Sequence, residues 1–502
     1  MFARETRLAI ATLILTTATL LACSRPARLA ADLVITGANI WTGNPAQPAA
    51  AAVAVIGDRI VDVGSADEID RWRGAGTTVL QAEGRRLIPG FNDAHVRMFD
   101  GGSDLENVDL RDAGSAAELA RRVNERAKAK PGEWILGGHW DERRWTPAGL
   151  PSRASIDDVT NSSPVFVVRY DGRMALANAT ALGRAGITER TPDPPGGAIV
   201  RDDNGFPTGV LQDAAMDIVA RTIPAVTSEQ RQRALKHALE QAESLGVTSV
   251  QDLGASSEDV GVYADLVSRR ELTVRVYAAL LENDWYDQAK LGLRRAFGSP
   301  WLRIGAVRAP CDADAVPDAV RTRLMAADHA GLQVSMLPIG DTPAARALDV
   351  FGDIIRANGG RDRRFRLDGW QIASENADRL ASLDVVASLQ PDSTGAPVLA
   401  LLDKGVRLSL GSGWPSAPLN PMLALAALVT TGLSPAQALS AFTTGSAVAE
   451  FQENEKGTIA RGKLADMVIL SDDVLTVSPS HIKQVRVLTT IAAGKIVHQR
   501  KP

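Results

Sequence analysis

The chain has 502 residues, of which 45% are hydrophobic and 23% are charged, and its formal net charge is -4. These values are ordinary for a globular protein, and the length predicts two to four domains or one large barrel with a satellite domain. Because the chain shows no stripe of lysine and arginine with interleaved aromatic residues, nucleic acid is excluded as an expected partner.

The first 22 residues are predicted to be an export signal. Arg4 and Arg7 precede an uncharged, mostly apolar run, which is shorter than the ~20 residues that span a bilayer. The run ends in Leu20-Leu21-Ala22-Cys23-Ser24, which resembles a bacterial lipobox. This resemblance implies a lipid on Cys23, a tether over residues 23–31 and a periplasm-facing place on the cell envelope, with the outer membrane favoured. A plain signal peptide, with Cys23 incidental, is the alternative.

Strand-rich blocks occupy both ends of the mature chain, at 32–86 and 457–502. Both are rich in Val and Ile, and Gly-Asn and Gly-Asp pairs such as Gly43-Asn44 and Gly57-Asp58 mark turns in the first of them. Because the termini of a domain often lie close together, we expect the two blocks to form one small β-sandwich domain.

Between these blocks, over residues 87–456, apolar strands alternate with helical segments, which predicts parallel βα units. Eight main strands are predicted, at 87–91, 248–252, 273–279, 302–307, 333–337, 366–368, 385–389 and 406–410. The predicted fold is therefore α/β, a (β/α)8 TIM-like barrel with any ligand site at the carboxyl ends of its strands. An insertion at about 101–240, with strand-like segments at 134–138 and 164–170, separates the first two strands.

Short motifs at the strand ends occur in a fixed order between residues 88 and 466. They are Ile88-Pro89-Gly90-Phe91-Asn92-Asp93-Ala94-His95, Gly138-His139-Trp140-Asp141-Glu142-Arg143-Arg144-Trp145, Gly246-Val247-Thr248-Ser249-Val250-Gln251-Asp252, Ile339-Gly340-Asp341, Ser388-Leu389-Gln390-Pro391, and Gly457-Thr458-Ile459 with Gly462-Lys463-Leu464-Ala465-Asp466. In this order they resemble the amidohydrolase superfamily, specifically the amidohydrolase 3 type. The resemblance implies a hydrolase of carbon–nitrogen bonds in which zinc activates a water molecule.

The metal ligands that the resemblance implies are mostly replaced in this chain. The family takes a His-x-His pair, a lysine, two further histidines and an aspartate from successive strand ends. The residues at those positions are His95, Arg97, Arg308, Leu337, Gly369 and Gly413, and a substrate-side histidine position is Arg173. Arginine has no lone pair to give, whereas zinc needs three or four donors. We therefore expect a degenerate metal site, no bound cofactor and a pseudoenzyme.

The replacements suggest a different ligand. The predicted pocket consists of His95, Arg97, His139, Asp141, Arg173, Arg308 and Trp414. Guanidinium groups bind carboxylate and phosphate through two parallel hydrogen bonds, so an anionic small molecule is the expected partner. The alternative is internal pairing of these arginines with Asp93, Asp312, Asp341 or Asp368.

No residue is assigned a catalytic role, and His95 and Cys311 are the candidates. Arg308, three residues before Cys311, would lower the pKa of its thiol; a structural cysteine in an apolar barrel is the alternative. His95 has a similar alternative, as a hydrogen-bonding residue at the base of a pocket. Two functions stay open: a membrane-tethered binding protein, or a hydrolase of carbon–nitrogen bonds with an atypical or absent metal site.

Overall fold

The computed structural model describes residues 29–160, 162–311, 316–338, 341–369, 376–390 and 398–500. The predicted signal segment, Cys23, most of the tether and Asp312 lie outside the described residues. Within the described ranges, no helix has both the length and the apolar character needed to cross a membrane.

The chain begins with strands of a small β-domain. They are β1 (Leu33–Thr36), β2 (Asn39–Trp41), β3 (Ala49–Ala50), β4 (Ala52–Ile56), β5 (Arg59–Gly64), β6 (Thr78–Gln81) and β7 (Arg86–Pro89), with helix α1 (Ala66–Asp70) between β5 and β6. One sheet has the order β5-β4-β1-β6. Ser65 caps the N-terminus of helix α1 and forms a capping box with Glu68, which satisfies backbone N–H groups at that end.

The first barrel strand, β8 (Phe91–Val96), leads into helix α2 (Met98–Glu106) and then into the insertion. The insertion contains a six-stranded sheet of order β13-β14-β12-β11-β10-β9 and several short helices. Its elements are β9 (Val108–Asp109), α3 (Ala116–Ala129), β10 (Gly137–Trp140), α4 (Asp157–Thr160), β11 (Phe166–Arg169), β12 (Met174–Ala177), α5 (Ala179–Arg184), β13 (Gly197–Arg201), β14 (Pro207–Asp213) and α6 (Met216–Ala220), with 3-10 turns at Glu142–Arg144 and Arg153–Ser155.

Helix α7 (Ser228–Ser244) returns the chain to the barrel. The elements that follow are β15 (Val247–Leu253), α8 (Ser257–Ser268), β16 (Arg275–Leu281), a 3-10 turn (Glu282–Asp284), α9 (Trp285–Lys290), β17 (Phe297–Gly298), β18 (Leu302–Cys311), α10 (Asp318–His329), β19 (Gln333–Pro338), α11 (Asp341–Asn358), β20 (Arg366–Gly369), α12 (Ala377–Ser382), β21 (Val386–Leu389), α13 (Val398–Asp403), β22 (Arg407–Leu410), α14 (Pro421–Thr430), α15 (Pro435–Ser440), a π-helical turn (Ala441–Gly445) and α16 (Ser446–Ala449).

The last strands return to the β-domain. They are β23 (Met467–Leu470), β24 (Val487–Ala492) and β25 (Lys495–Gln499), with α17 (Pro479–Ile482) between β23 and β24. They complete a second sheet of order β25-β24-β23-β7-β2-β3, in which β23 pairs antiparallel with β7. Asp466, just before β23, accepts hydrogen bonds from Nε and Nη2 of Arg275 in β16 at 2.7 and 3.0 Å. Both side chains are buried, so this ion pair joins the β-domain to the barrel.

Eight parallel strands confirm the predicted barrel. Their order is β22-β21-β20-β19-β18-β16-β15-β8, and β17 pairs with β18 outside this path. The ring closes just beyond β22, where the N–H of Gly413 donates to the carbonyl of His95 and the N–H of Arg97 donates to that of Trp414, each at 2.9 Å.

Two element predictions need correction. The predicted first barrel strand at 87–91 combines most of β7, which belongs to the β-domain, with the first residue of β8. The chain passes from one sheet to the other at Gly90, where a Cβ atom would lie only 2.1 Å from Oγ1 of Thr248. The insertion holds six strands rather than the two that were predicted. These strands pair with one another in a separate sheet instead of continuing the barrel.

Candidate functional site

The carboxyl ends of the barrel strands carry the residues that the sequence placed at ligand positions. His95 lies in β8, Arg308 in β18 and Leu337 in β19, whereas Gly369 ends β20 and Gly413 follows β22. Parallel strands of a barrel bring these ends to one mouth. We call this region the barrel mouth.

The imidazole of His95 is held by a residue that the sequence analysis missed. Nε2 of Gln390, just beyond β21, lies 2.6 Å from Nδ1 of His95. In this orientation of the Gln390 amide its nitrogen donates, so Nδ1 accepts the hydrogen bond and the ring proton is assigned to Nε2. The ring therefore offers its Nε2–H as a donor to a ligand, while its one lone pair, on Nδ1, is already engaged by Gln390.

Both ionisable groups on β8 are shifted toward their uncharged forms. Burial lowers the pKa of His95 to about 3; Asp368 opposes this shift, and Arg308, Arg366 and Arg97 add to it. Burial also raises the pKa of Asp93 to about 6, against hydrogen bonds from Ser412 and from the N–H of His95. At neutral pH His95 is therefore an uncharged imidazole.

Arg308 carries a partly buried positive charge beside this imidazole. Its Nη1 donates to the carbonyl of Leu253 at 3.3 Å, and its buried Nε has no hydrogen-bond partner. Among the carboxylates whose side chains the structure describes, which do not include Asp312 and Asp341, none lies within 4.0 Å of this guanidinium. Burial lowers its pKa from the ordinary value, which Asp368 and Asp252 oppose and Arg97 reinforces.

The other two arginines of the predicted pocket have carboxylate partners. Nη1 of Arg97 lies 2.9 Å from Oδ2 of Asp100, with both side chains 45% exposed at the mouth. Arg173 lies between β11 and β12 in the insertion, where it is 70% exposed and its Nε lies 2.9 Å from Oδ1 of Asp213. Arg173 is not among the main charged groups that shift the pKa of His95 or Arg308. These contacts also differ from the internal pairings considered from the sequence.

Three further predicted pocket residues are held by neighbours. His139 belongs to β10 of the insertion, and its Nε2 lies 3.3 Å from Oδ2 of Asp104 in α2. Asp141 caps the following 3-10 turn and accepts from Nε of Arg143 at 2.8 Å. Trp414 is buried beneath α2, where a Cβ atom at Gly101 would lie 2.4 Å from its ring. Trp414 therefore packs against α2.

Cys311 faces away from the mouth. It packs in the apolar layer between the barrel and its helices, together with Val307 and Ala309 of the same strand. Side chains alternate along a strand, so Arg308 points to the opposite face. Sγ of Cys311 lies 3.3 Å from the carbonyl oxygen of Pro343. This placement favours the structural alternative for Cys311 over a nucleophile.

The residues at the family's ligand positions do not fit a metal ion. His95 has one nitrogen occupied by Gln390, Arg308 has no lone pair, and Leu337 has no ligand atom. Gly413 has φ 75°, and a Cβ atom there would lie 2.8 Å from Oε1 of Gln390, so a carboxylate side chain would be strained and crowded. Among the described residues, no group of three or more His, Cys, Asp or Glu side chains converges as a metal site.

A buried ion pair lies in the barrel interior. Nη2 of Arg366 contacts Oδ1 of Asp368 at 2.7 Å, the carbonyl of Ala94 at 2.6 Å and Oγ of Ser388 at 3.2 Å. Nη1 donates to Oε1 of Gln251. Asp368 was expected only as a possible counter-ion of the pocket arginines, and Arg366 was not among the predicted site residues. Side chains alternate between the two faces of a strand, so Arg366 and Asp368, two residues apart in β20, lie on the same face. This spacing could have predicted their contact from the sequence.

Comparisons with known proteins extend over nearly the whole chain. A family model described as the amidohydrolase family matches residues 78–498. Protein LONG AFTER FAR-RED 3 of Arabidopsis thaliana is 34% identical over 523 residues, covering 90% of this chain and 89% of the plant protein. The N-substituted formamide deformylase of Arthrobacter pascens is 25% identical over 540 residues, covering 93% and 98%. A solved structure, an uncharacterized metal-dependent hydrolase from Pyrococcus horikoshii, has a TM-score of 0.73 at 22% identity and covers 89% of this chain and 99% of its own.

Asp252, in β15, is a second buried carboxyl group close to the mouth. Its Oδ2 accepts from the hydroxyl of Tyr263 at 2.7 Å, and its Oδ1 accepts from the N–H of Met98 at 3.3 Å. Burial raises its pKa to about 7, against the hydrogen bond from Tyr263. The folded protein therefore retains a proton on Asp252 that the unfolded chain releases at lower pH. The contribution of this protonated carboxyl group to folding stability is complete below pH ~4 and is lost as the pH rises through ~7.

Asp252→Asn should remove this pH dependence, because the amide does not ionise. The free energy of unfolding of the variant minus that of the wild type should rise by roughly 2–3 kcal/mol from pH 5 to pH 8. Urea unfolding at both pH values measures the difference, with the exposed Asp265→Asn as control. An equal difference between Asp252→Asn and wild type at the two pH values would contradict the assignment.

Proposed function

The chain belongs to the amidohydrolase family, and we propose that it uses the family fold to bind a small anionic molecule, with Arg308 and His95 as the ligand-contacting residues. The observation that carries this proposal is the guanidinium of Arg308, which is partly buried and has an unpartnered Nε. A buried charge is costly unless it is paired. A carboxylate or phosphate at the mouth would supply the missing partner.

The neutral imidazole of His95 complements this charge. With Nδ1 occupied by Gln390, its Nε2–H is the available donor. Arg97 adds a second positive charge at the rim, although Asp100 offsets part of it. A guanidinium fork and a neutral N–H donor suit a carboxylate or phosphate. Because the pKa of His95 is about 3, ligand binding should not depend on its titration near neutral pH.

Hydrolysis of a carbon–nitrogen bond is the second candidate function. It is favoured by the family membership and by the similarity to a protein named N-substituted formamide deformylase. Such a reaction requires a group that activates water. A histidine whose pKa is about 3 is a weak base at neutral pH, whereas an efficient general base has a pKa near the working pH. The binding function therefore agrees better with this mouth.

We further propose that the protein is tethered to a bacterial membrane through a lipid on Cys23, facing the periplasm. The support is the lipobox-like sequence that ends the apolar run at the N-terminus. Buried acyl chains contribute about 0.8 kcal/mol per methylene group, so several chains hold a protein at a membrane without a spanning helix.

The role of Arg308 is testable with Arg308→Met, which removes the charge and keeps an unbranched apolar side chain. Citrate should raise the melting temperature of the wild type more than sodium chloride of equal ionic strength does. Loss of charged hydrogen bonds should weaken citrate binding about tenfold or more in the variant. Arg173→Met is the matched control, because Arg173 pairs with Asp213 in the insertion and should not affect the citrate response. Equal responses in wild type and Arg308→Met would contradict the proposal.

The tether is testable by cell fractionation. Cys23→Ser should move the protein from the membrane fraction to the soluble periplasmic fraction, because no sulfur is left to carry the lipid. Cys311→Ser, at the other cysteine of the chain, should leave the protein at the membrane. Membrane association that persists in Cys23→Ser would argue against lipidation at this residue.

A further inference from the structure

A cavity of about 380 Å³ lies between the insertion and the barrel helices. Its walls come from the end of α2, the end of α3, the segment that leads into β10, the end of α5, and the first turns of α7. We call it the insertion cavity. Helix α2 separates it from the barrel mouth: Arg97 precedes one end of this helix, and Glu106, at the other end, lines the cavity. The volume is within the range of small-molecule sites.

Positive charge exceeds negative charge around the insertion cavity. Four cationic side chains line it against two carboxylates, and they are Arg126, Lys130, Arg184 and Arg233 against Glu106 and Glu133. Lys130 and Arg233 approach Glu106 only at 3.7 and 3.8 Å. Throughout the residues that the structure describes, neither Arg126 nor Arg184 has a carboxylate within 4.0 Å. Two guanidinium groups are thus available to an anion.

An aromatic and apolar surface adjoins this charge. The guanidinium of Arg184 lies over the ring of Trp134, 5.5 Å from its centroid. Leu136, Ile223 and Pro224 also line the cavity. A ligand that carried only charge would leave this apolar surface in contact with water, whereas a ring against it would bury apolar area on both sides.

We propose that the insertion cavity binds a small aromatic carboxylate. Its carboxylate pairs with the guanidinium groups of Arg184 and Arg126, and its ring packs against Trp134 and the apolar wall. The carboxylate neutralises two positive charges that have no carboxylate partner among the described residues, and the ring fills the apolar part of the cavity. This site is distinct from the barrel mouth and does not depend on the function proposed there, because none of its residues belongs to a barrel strand.

The test is a calorimetric titration of the purified full chain with phenylacetate, which supplies both the ring and the carboxylate. Acetate supplies the charge alone and benzyl alcohol supplies a ring without charge. Phenylacetate should bind with a dissociation constant at least about tenfold lower than either. Arg184→Gln and Arg126→Gln should each weaken phenylacetate binding about tenfold, because each removes a charged hydrogen bond. Trp134→Leu should weaken phenylacetate binding while leaving the weak acetate binding unchanged.

Arg190→Gln is the matched control. Arg190 follows α5 but is 91% exposed and does not line the cavity, so its loss should leave phenylacetate affinity unchanged. Three results would overturn the proposal: no phenylacetate binding by the wild type, equal affinity in wild type and Arg184→Gln, or affinity lost in Arg308→Met instead, which would place the ligand at the barrel mouth. Arg184→Gln alters an exposed side chain, so its result does not depend on the folding of Trp134→Leu.

Discussion

The guanidinium of Arg366 is the constraint around which the barrel interior is organised. It is buried and contacts residues of β8, β15, β20 and β21: Ala94, Gln251, Asp368 and Ser388. A buried charge is tolerated only when its partners and hydrogen bonds compensate for lost hydration. Four strands must therefore keep their relative positions to satisfy one side chain. The strand ends above it, which form the mouth, are held in place by the same requirement.

This interior also sets the electrostatics of the mouth. Arg366, Arg308 and Arg97 all act to keep His95 uncharged, while Asp368 is largely committed to Arg366 and Ser335. A divalent cation at the mouth would meet three positive groups in a partly desolvated place, where Coulomb interactions are much stronger than in water. An anion would meet the same groups favourably. Gln390 engages Nδ1 of His95, and Oε1 of Gln390 lies close to Gly413, the position at which the family resemblance implies an aspartate. The replacements are thus mutually consistent.

The sequence predicted the barrel well because alternation of strands and helices is local and repeated. It misplaced the start of the first barrel strand, because only Gly90 separates β7 from β8 and apolar residues flank it on both sides. The replaced ligand positions could also be located from the sequence, because they lie in or next to recognisable motifs. The hydrogen-bond partners of the residues at these positions could not be predicted. Gln390 contacts His95 across 295 residues, and Arg173 pairs with Asp213 because the insertion folds as its own sheet. Contacts set by such long-range packing have no signature in a single sequence.

Elemental analysis of the purified protein, after incubation with zinc and removal of the excess, tests the central claim that positive side chains have replaced the metal. Zinc requires three or four converging donors, whereas at the described ligand positions only His95 has a donor nitrogen, and Gln390 engages its lone pair. The account predicts far less than one zinc per chain in the wild type and no difference in His95→Ala. About one zinc per chain in the wild type, lost in His95→Ala, would contradict the account and favour a metal-dependent hydrolase instead.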